Sequence, residues 1–316
     1  MRLEVFNRSK YRDGSAPGDD VPLVVPGVLY GVFDGATDPR GTVVDGVAVG
    51  RLAATIVASE MAAMAFDPVF RTLPGSDIIN RLSAILKERT DPLNLVIPPS
   101  TTLAVALDCG ESWRFILLGD SGIRLNGLEV HHHQKVIDHV STAARVAVFK
   151  ELAAKNMDLD EVEALTRRSI FLGFDNAISE GIIYAARAQE IVEEAIEALG
   201  LSDVADLVSG FLMGGIQTQY GFGNTTGNPL CFDTMNGTTP QLGELQDFER
   251  AKADVTSVEI FTDGYPCLPE EATTAAWEDT FQTAEEQDFH KIGRFATVKG
   301  SSRTEFFDDR TVIILE

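Results

Sequence analysis

The chain has 316 residues, of which 44% are hydrophobic and 23% are charged, and these values are ordinary for a folded protein with a sizeable core. Its formal net charge of −22 argues against a nucleic acid or an acidic membrane surface as a partner, because both would repel it. No run of about 18 apolar residues indicates a membrane span. The three scattered cysteines lack a CxxC spacing and predict neither a disulfide framework nor a thiolate zinc site. We expect a cytoplasmic protein.

The first half of the chain is predicted to consist mainly of strands. Short apolar runs predict strands at Val28–Phe33, Thr101–Leu107 and Trp113–Leu118, the last two separated by a turn at Cys109 and Gly110. Helical spacing of small and apolar residues predicts helices at Gly50–Ala65, ending near Pro68, and at Asp77–Glu88, the second with Ser76 or Asp77 as its N-cap.

The second half begins with a long helical stretch. Residues 141–207 are rich in Ala, Glu, Leu and Arg and contain no proline, so we predict helices with breaks near Gly173 and Gly200. The Gly-, Asn- and Thr-rich segment 210–240 predicts loops around short strands. Strands are predicted again at Ser257–Thr262 and Thr311–Leu315. We therefore predict a single domain over residues 1–316 with a helical insertion at about 141–210.

Acidic residues recur where these apolar strands begin or end. Asp34, Asp120 and Asp263 follow strands, and Asp308 precedes the last one. Each of them alone is typical of an ordinary turn. Four such residues in one chain favour carboxylates that converge at one rim of a sheet sandwich, where they would repel each other unless cations neutralised them. Oxygen ligands of this kind suit Mn²⁺ or Mg²⁺.

Five short motifs carry a family resemblance. In chain order they read VFDG, TTLAVAL, LLGDSGIRL, IFTDG and FDDRTVIIL. This order resembles the type 2C, or PPM, family of metal-dependent serine/threonine protein phosphatases, over nearly the whole chain. The resemblance implies an α+β fold, a four-layer α-β-β-α sandwich of two antiparallel sheets flanked by helices. It also implies hydrolysis of phosphoserine and phosphothreonine in a phosphoprotein substrate, by direct attack of a water that bridges two cations.

The resemblance assigns metal ligands residue by residue. It implies that Asp34 bridges two Mn²⁺ or Mg²⁺ ions and that Gly35 offers a backbone carbonyl. Asp263 and Asp308 would complete the first metal site, with Asp308 preferred over Asp309 because it stands three residues before Thr311. Asp120 would help to hold a third, weaker ion, so two or three ions are implied.

The segment before the first strand is implied to hold two further groups. An acidic pair there reaches the second metal through water in the family, and Asp19 and Asp20 stand at about the corresponding sequence separation from Asp34, with Asp-Asp in place of the usual Glu-Asp. The resemblance does not decide between the two, and Asp20 is taken as the ligand. A basic residue upstream receives the substrate phosphate, and Arg8, Lys10 and Arg12 are the candidates. The preferred assignment is Arg8 or Lys10.

The sequence also departs from the family pattern and leaves alternatives open. The early motif continues as Asp-Gly-Ala-Thr-Asp, so Ala36 stands where some members carry a histidine proposed as general acid. A catalytically silent regulatory binding module on the same fold is an alternative, because a fold does not guarantee activity. The sequence GDSG around Ser121 also occurs in chymotrypsin-like proteases, but no histidine precedes it. The run His131-His132-His133 is interpreted as a solvated strand end rather than a metal site, because adjacent histidines on a strand face opposite ways.

Overall fold

The computed structural model describes residues 2–67 and 69–316. The strands are β1 (Leu3–Arg8), β2 (Val21–Val25), β3 (Leu29–Phe33), β4 (Val43–Val44), β5 (Val47–Ala48), β6 (Leu103–Asp108), β7 (Ser112–Leu118), β8 (Gly122–Leu125), β9 (Glu129–His131), β10 (Gln246–Ala251), β11 (Val258–Phe261) and β12 (Arg310–Leu315). The α-helices are α1 (Val49–Met64), α2 (Gly75–Thr90), α3 (Val136–Ala153), α4 (Leu159–Leu172), α5 (Phe174–Ser179), α6 (Ala185–Leu199), α7 (Ala205–Gly214) and α8 (Thr274–Gln287). None of these helices is long and apolar enough to cross a bilayer.

Ten of the strands form two five-stranded antiparallel sheets. One sheet has the order β1-β12-β11-β8-β9 and the other the order β10-β7-β6-β3-β2, while β4 and β5 form a small separate hairpin. The central pairings are in regular register, with Leu29 opposite Leu107 in one sheet and Ile260 opposite Ile313 in the other. The strand ends that carry Asp34 and Asp263 therefore belong to different sheets.

The main apolar core lies between the two sheets because successive strand residues face opposite ways. In β3, Tyr30 and Val32 point into this core, where they meet Ile260 and Ile313 of the facing sheet. Leu29 and its alternating neighbours point outward and are covered by α1 and α2. The outer face of the other sheet is covered by α8. The layers are therefore helices, sheet, sheet and helix, which confirms the predicted α-β-β-α sandwich.

Helices α3 to α7 pack around an apolar cluster of their own beside the sandwich. They span residues 136–214, slightly more than the predicted 141–210. The predicted breaks occur at Gly173 and Gly200, which have positive φ angles of 87° and 66°. Gly173 also packs so closely that an added Cβ would lie 2.2 Å from the Met213 carbonyl oxygen. Two interruptions, at 154–158 and 180–184, were not predicted.

Two local predictions were wrong. Helix α2 begins at Gly75 without a side-chain cap from Ser76 or Asp77. Instead the Gly75 amide donates to the carboxylate of Asp247 on β10, 2.8 Å away, so a residue distant in sequence satisfies the helix terminus. The loop predicted to start at residue 210 begins later, because residues 210–214 are the last turn of α7.

Candidate metal centre

The strand-end carboxylates from both sheets meet at one end of the sandwich. Asp34 directly follows β3, Asp120 follows β7 by two residues and Asp263 follows β11 by two residues. Each of these three offers a carboxylate oxygen within 4.8 Å of those of the other two. Asp308, two residues before β12, lines the same cleft, which has a volume of about 190 Å³. In the part of the chain that is described, this trio is the group of acidic, His or Cys side chains close enough to share an ion.

Two glycines allow the aspartates to come this close. Gly35 follows Asp34, and an added Cβ there would lie 2.2 Å from the carbonyl oxygen of Gly50. Gly264 follows Asp263, and an added Cβ would lie 1.8 Å from the carbonyl oxygen of Asp309. A Cβ cannot be accommodated at either distance without moving backbone. The Asp-Gly pairs are therefore required by close backbone packing, beyond the turn preference that the sequence suggests.

Hydrogen bonds hold the backbone of Asp34 and leave its carboxylate for the cleft. Its carbonyl oxygen accepts from the Thr101 hydroxyl at 2.7 Å and from the Thr102 amide at 2.8 Å. Desolvation and the charges of Asp263 and Asp20 raise the pKa of Asp34 well above its ordinary value. Desolvation by the cleft walls and the charges of Asp120 and Asp308 raise the pKa of Asp263 to about 7, although part of its surface is open to solvent. Both shifts follow from negative charges that are crowded together away from water.

Asp20 lies behind the trio and is 2% exposed. Its Oδ2 accepts hydrogen bonds from the Thr262 and Thr311 hydroxyls at 2.7 and 2.8 Å. Its Oδ1 is buried and has no hydrogen-bond partner. Desolvation and the charge of Asp309 raise the pKa of Asp20 well above its ordinary value. A buried carboxylate oxygen without a partner fits a site that takes a cation or an ordered water.

The neighbouring aspartates divide into cleft and scaffold residues. Both oxygens of Asp309 accept backbone hydrogen bonds, from the Lys10 amide at 2.7 Å and from the Asp19 amide at 2.9 Å, so its carboxylate ties the N-terminal segment to β12. Asp19 accepts from the Lys10 ammonium at 2.8 Å and the Thr37 hydroxyl at 3.0 Å. Asp308 lines the cleft and its Oδ1 lies 2.7 Å from the Lys299 ammonium. The geometry thus places Asp308, and not Asp309, where a ligand could act.

Asp120 differs from the rest of the trio because it already has a cationic partner. The ammonium of Lys135, at the start of α3, lies 2.7 Å from Asp120 and 3.6 Å from Asp138. Burial acts to raise the pKa of Asp120, but the charge and hydrogen bond of Lys135 outweigh it, and the pKa lies below its ordinary value. Asp120 is therefore the carboxylate of the trio with the least need of an added cation.

The basic residues predicted to contact phosphate are occupied elsewhere. Lys10 is 7% exposed, and its ammonium lies 2.8 Å from Asp19 and 3.3 Å from Asp309. Arg8 is exposed and donates to the Arg12 carbonyl oxygen, whereas the Arg12 guanidinium pairs with Glu285 at 2.6 Å. None of the three lines the cleft. The sequence motifs gave no indication of Lys135 and Lys299, the amines that do line it, since no motif includes them.

The positions of Ser121 and of the histidines at 131–133 bear on the protease and histidine-metal alternatives. Ser121 is fully buried, and its hydroxyl lies 2.7 Å from that of Thr102 rather than near a histidine, so it cannot act as an exposed nucleophile. His131 contacts Gln246 and Glu129 through its two ring nitrogens, whereas His133 pairs with Glu244. Strand β9 ends at His131, and His131 and His133 contact different partners rather than converging on one point.

No family model and no curated protein matches this chain. Solved structures that match it include the serine/threonine phosphatase PstP/Ppp of Mycobacterium tuberculosis, 15% identical, with 99% of this chain and 97% of that one covered at a TM-score of 0.46. The phosphatase Stp1 from Staphylococcus aureus is 11% identical over 100% and 95%, at a TM-score of 0.48.

A further match is the catalytic domain of PstP in complex with two manganese ions, 15% identical, with 99% of this chain and 96% of that one covered at a TM-score of 0.45. Identities of 15% or less and TM-scores below 0.5 leave the function to be argued from the residues of the cleft.

Proposed function

We propose that this chain is a metal-dependent phosphatase that hydrolyses phosphoserine and phosphothreonine in proteins. The observation that carries the proposal is the meeting of Asp34, Asp120 and Asp263, with oxygens within 4.8 Å of one another, at a cleft that Asp308 also lines. A sandwich of two sheets brings these side chains together from separate strand ends. An aspartate that only forms a turn needs no other carboxylate nearby, whereas a hard cation binds to several oxygen ligands at once.

The residues present fit Mn²⁺ or Mg²⁺. All the donors are oxygens, the pKa values of Asp34 and Asp263 are raised by desolvation and by neighbouring negative charges, and Asp20 has a buried oxygen without a partner. Asp34, Asp263 and Asp308 would hold the ions, with the Gly35 carbonyl and Asp20 in support. When bound, such ions lower the pKa of a coordinated water and neutralise charge on the phosphoryl group.

The chain's own residues position these groups. Thr262 and Thr311 fix the Oδ2 of Asp20, so that its Oδ1 keeps one direction. Thr101 and Thr102 fix the backbone of Asp34. Phosphoryl transfer depends on positioning and charge neutralisation more than on covalent chemistry, so rigid placement of this kind is what the reaction needs. Direct attack of water then requires no phosphorylated residue, consistent with the burial of Ser121.

We propose a phosphoprotein of a cytoplasmic signalling pathway as the substrate class. Phosphoserine or phosphothreonine on a protein surface has to enter the cleft from outside. The cleft is walled by sandwich residues such as Pro98 and by helical-segment residues such as Asp138 of α3 and Phe171 of α4. The helical segment α3 to α7 therefore supplies part of the surface that a protein substrate would meet.

A catalytically silent binding module is the second candidate, and one observation favours it. The ammonium groups of Lys135 and Lys299 lie 2.7 Å from Asp120 and Asp308, so two of the four strand-end carboxylates at the cleft are neutralised by the protein itself. A chain that no longer bound metal would gain stability from such pairs. Under this alternative the same fold would bind a partner without hydrolysing it.

Hydrolysis of p-nitrophenyl phosphate and of a phosphopeptide, with and without Mn²⁺, separates the two candidates. The phosphatase proposal predicts turnover that requires Mn²⁺ or Mg²⁺ and is abolished by EDTA. Full activity in EDTA would refute the metal mechanism. Absence of hydrolysis with saturating Mn²⁺, in a protein shown to be folded, would support the silent module.

A further inference from the structure

Two amines line the cleft within the described residues, and these are Lys135 and Lys299. Both also border an adjoining cavity of about 400 Å³ that shares Asp120, Asp263 and Asp308 with the cleft. The carboxylates thus stand between two openings, and the lysines are the positive groups nearest to them. A dianionic phosphate group entering either opening would meet one of these two side chains first.

The two lysines differ in how firmly they are held. The Lys135 ammonium lies between Asp120 and Asp138, at 2.7 and 3.6 Å, and packs 5.2 Å from the centre of the Phe232 ring. The Lys299 ammonium has a single carboxylate partner within 4 Å, Asp308, at 2.7 Å. If Asp308 ligates a cation, as the proposed function requires, that cation competes with Lys299 for the carboxylate and repels the ammonium. Lys299 is then the ammonium in need of a new anion.

Hydrogen bonds on both sides of Lys299 fix its backbone. The Lys299 carbonyl oxygen accepts from the Thr297 hydroxyl at 2.5 Å, and the next amide, of Gly300, donates to the Glu163 carboxylate at 2.7 Å. Glu163 is in turn paired with the fully buried Arg145 of α3. The helical segment therefore holds the loop that presents Lys299 to the cleft.

Space at residue 300 confirms how tightly this loop is held. An added Cβ at Gly300 would lie 2.1 Å from a guanidinium nitrogen of Arg145 and 2.5 Å from a carboxylate oxygen of Glu163. A lysine on such a fixed loop offers a point charge at the end of a flexible side chain. Lysine binds phosphate through such a point charge.

We propose that Lys299, and not Arg8 or Lys10, binds the phosphate group of the substrate. When metal binds, the Lys299 ammonium moves from Asp308 to this phosphate group. This inference rests on the proposed function, since it assigns the phosphate-contact residue of the same site. It also gives the helical segment a role, because α3 and α4 supply the buried pair that anchors the Lys299 loop.

The experiment measures binding of inorganic phosphate to the Mg²⁺-saturated protein by titration calorimetry. Lys299→Met keeps the stem and removes the charge, and we expect it to weaken phosphate binding at least about tenfold, the size of one lost charged hydrogen bond. Lys299→Arg should restore part of the binding. The matched control is Lys252→Met, which removes a lysine that also lies 2.7 Å from an aspartate, Asp108, but far from the cleft; its phosphate binding should equal that of the wild type.

The outcomes keep this inference apart from the proposed function. Equal phosphate binding by wild type and Lys299→Met, or no phosphate binding by the Mg²⁺-saturated wild type, would overturn the assignment of Lys299. Binding that depends on Lys299 without hydrolysis of p-nitrophenyl phosphate would support Lys299 and contradict the phosphatase proposal. Circular dichroism checks that the variants are folded. If Lys299→Met does not fold, phosphate binding by Lys299→Arg still tests the assignment.

Discussion

Asp263→Asn distinguishes a metal ligand from a turn residue. The change keeps size and turn preference and removes one negative charge. Two unit charges 4.8 Å apart, the limit set by the cluster, repel by roughly 1 kcal/mol at the dielectric constant of water. Because Asp263 is partly open to solvent, we take this lower value. In EDTA the variant should therefore be as stable as the wild type or about 1 kcal/mol more stable.

With Mn²⁺ the order of stability should reverse, so that the wild type is more stable than Asp263→Asn. A ligand at about 100 times its dissociation constant stabilises a folded protein by about 2.7 kcal/mol, and the variant should lose most of this gain because it binds Mn²⁺ more weakly. Turnover should fall at least about a hundredfold, a barrier increase of roughly 2.7 kcal/mol.

Thermal unfolding in EDTA and in Mn²⁺, together with p-nitrophenyl phosphate kinetics, measures these effects. The control is Asp279→Asn, on the exposed face of α8. If the two variants behave alike, Asp263 is a turn residue and the assignment of the site is wrong.

The remaining predictions concern packing around the site. Gly264→Ala should cost at least about 2 kcal/mol and reduce Mn²⁺ binding, because the new Cβ would collide with the Asp309 carbonyl oxygen. Gly210→Ala, in helix α7 with no atom within 4 Å of the new Cβ, should instead stabilise by up to about 1 kcal/mol, and thermal unfolding of both variants checks the contrast. Glu163→Gln should cost about 3 kcal/mol in urea unfolding because it leaves the buried Arg145 unpaired, and a loss below about 1 kcal/mol would contradict the anchoring role of this pair.

Much of the sandwich could be predicted because its central strands are continuous apolar runs. Strands β3, β6, β7, β11 and β12 are buried along nearly their whole length, and each was predicted to within two residues at either end. The edge strands β1 and β10 were missed, since their side chains alternate between partly exposed and exposed and carry no continuous apolar signal. Helix α8 was missed as well; its buried residues, which include Trp277 and Phe281, are separated by polar positions.

The acidic part of the site could also be anticipated, because each aspartate stands next to a strong strand signal. Asp34, Asp120 and Asp263 were placed at strand ends, and the stacking of the two sheets brings those ends together. The positively charged side chains at the cleft could not be anticipated in the same way. Lys135 stands at the start of a helix and Lys299 in a loop, and their positions follow from tertiary packing rather than from local pattern.

The burial of Lys10 between Asp19 and Asp309 likewise depends on residues nearly 300 positions apart in the chain. Sequence spacing alone contains no information on such a pair. The phosphate contact was predicted in the N-terminal segment from the family resemblance, and the burial of Lys10 there could not be anticipated.

The central claim, a metal centre built by strand-end aspartates, is tested most directly by locating the ions. Crystals soaked in Mn²⁺ should show anomalous scattering peaks in the cleft, within about 2.5 Å of oxygens of Asp34 and Asp263 and with Asp308 released from Lys299. Peaks only at His131–His133, or a cleft without any peak at saturating Mn²⁺ and with both lysines still paired to their aspartates, would contradict the account.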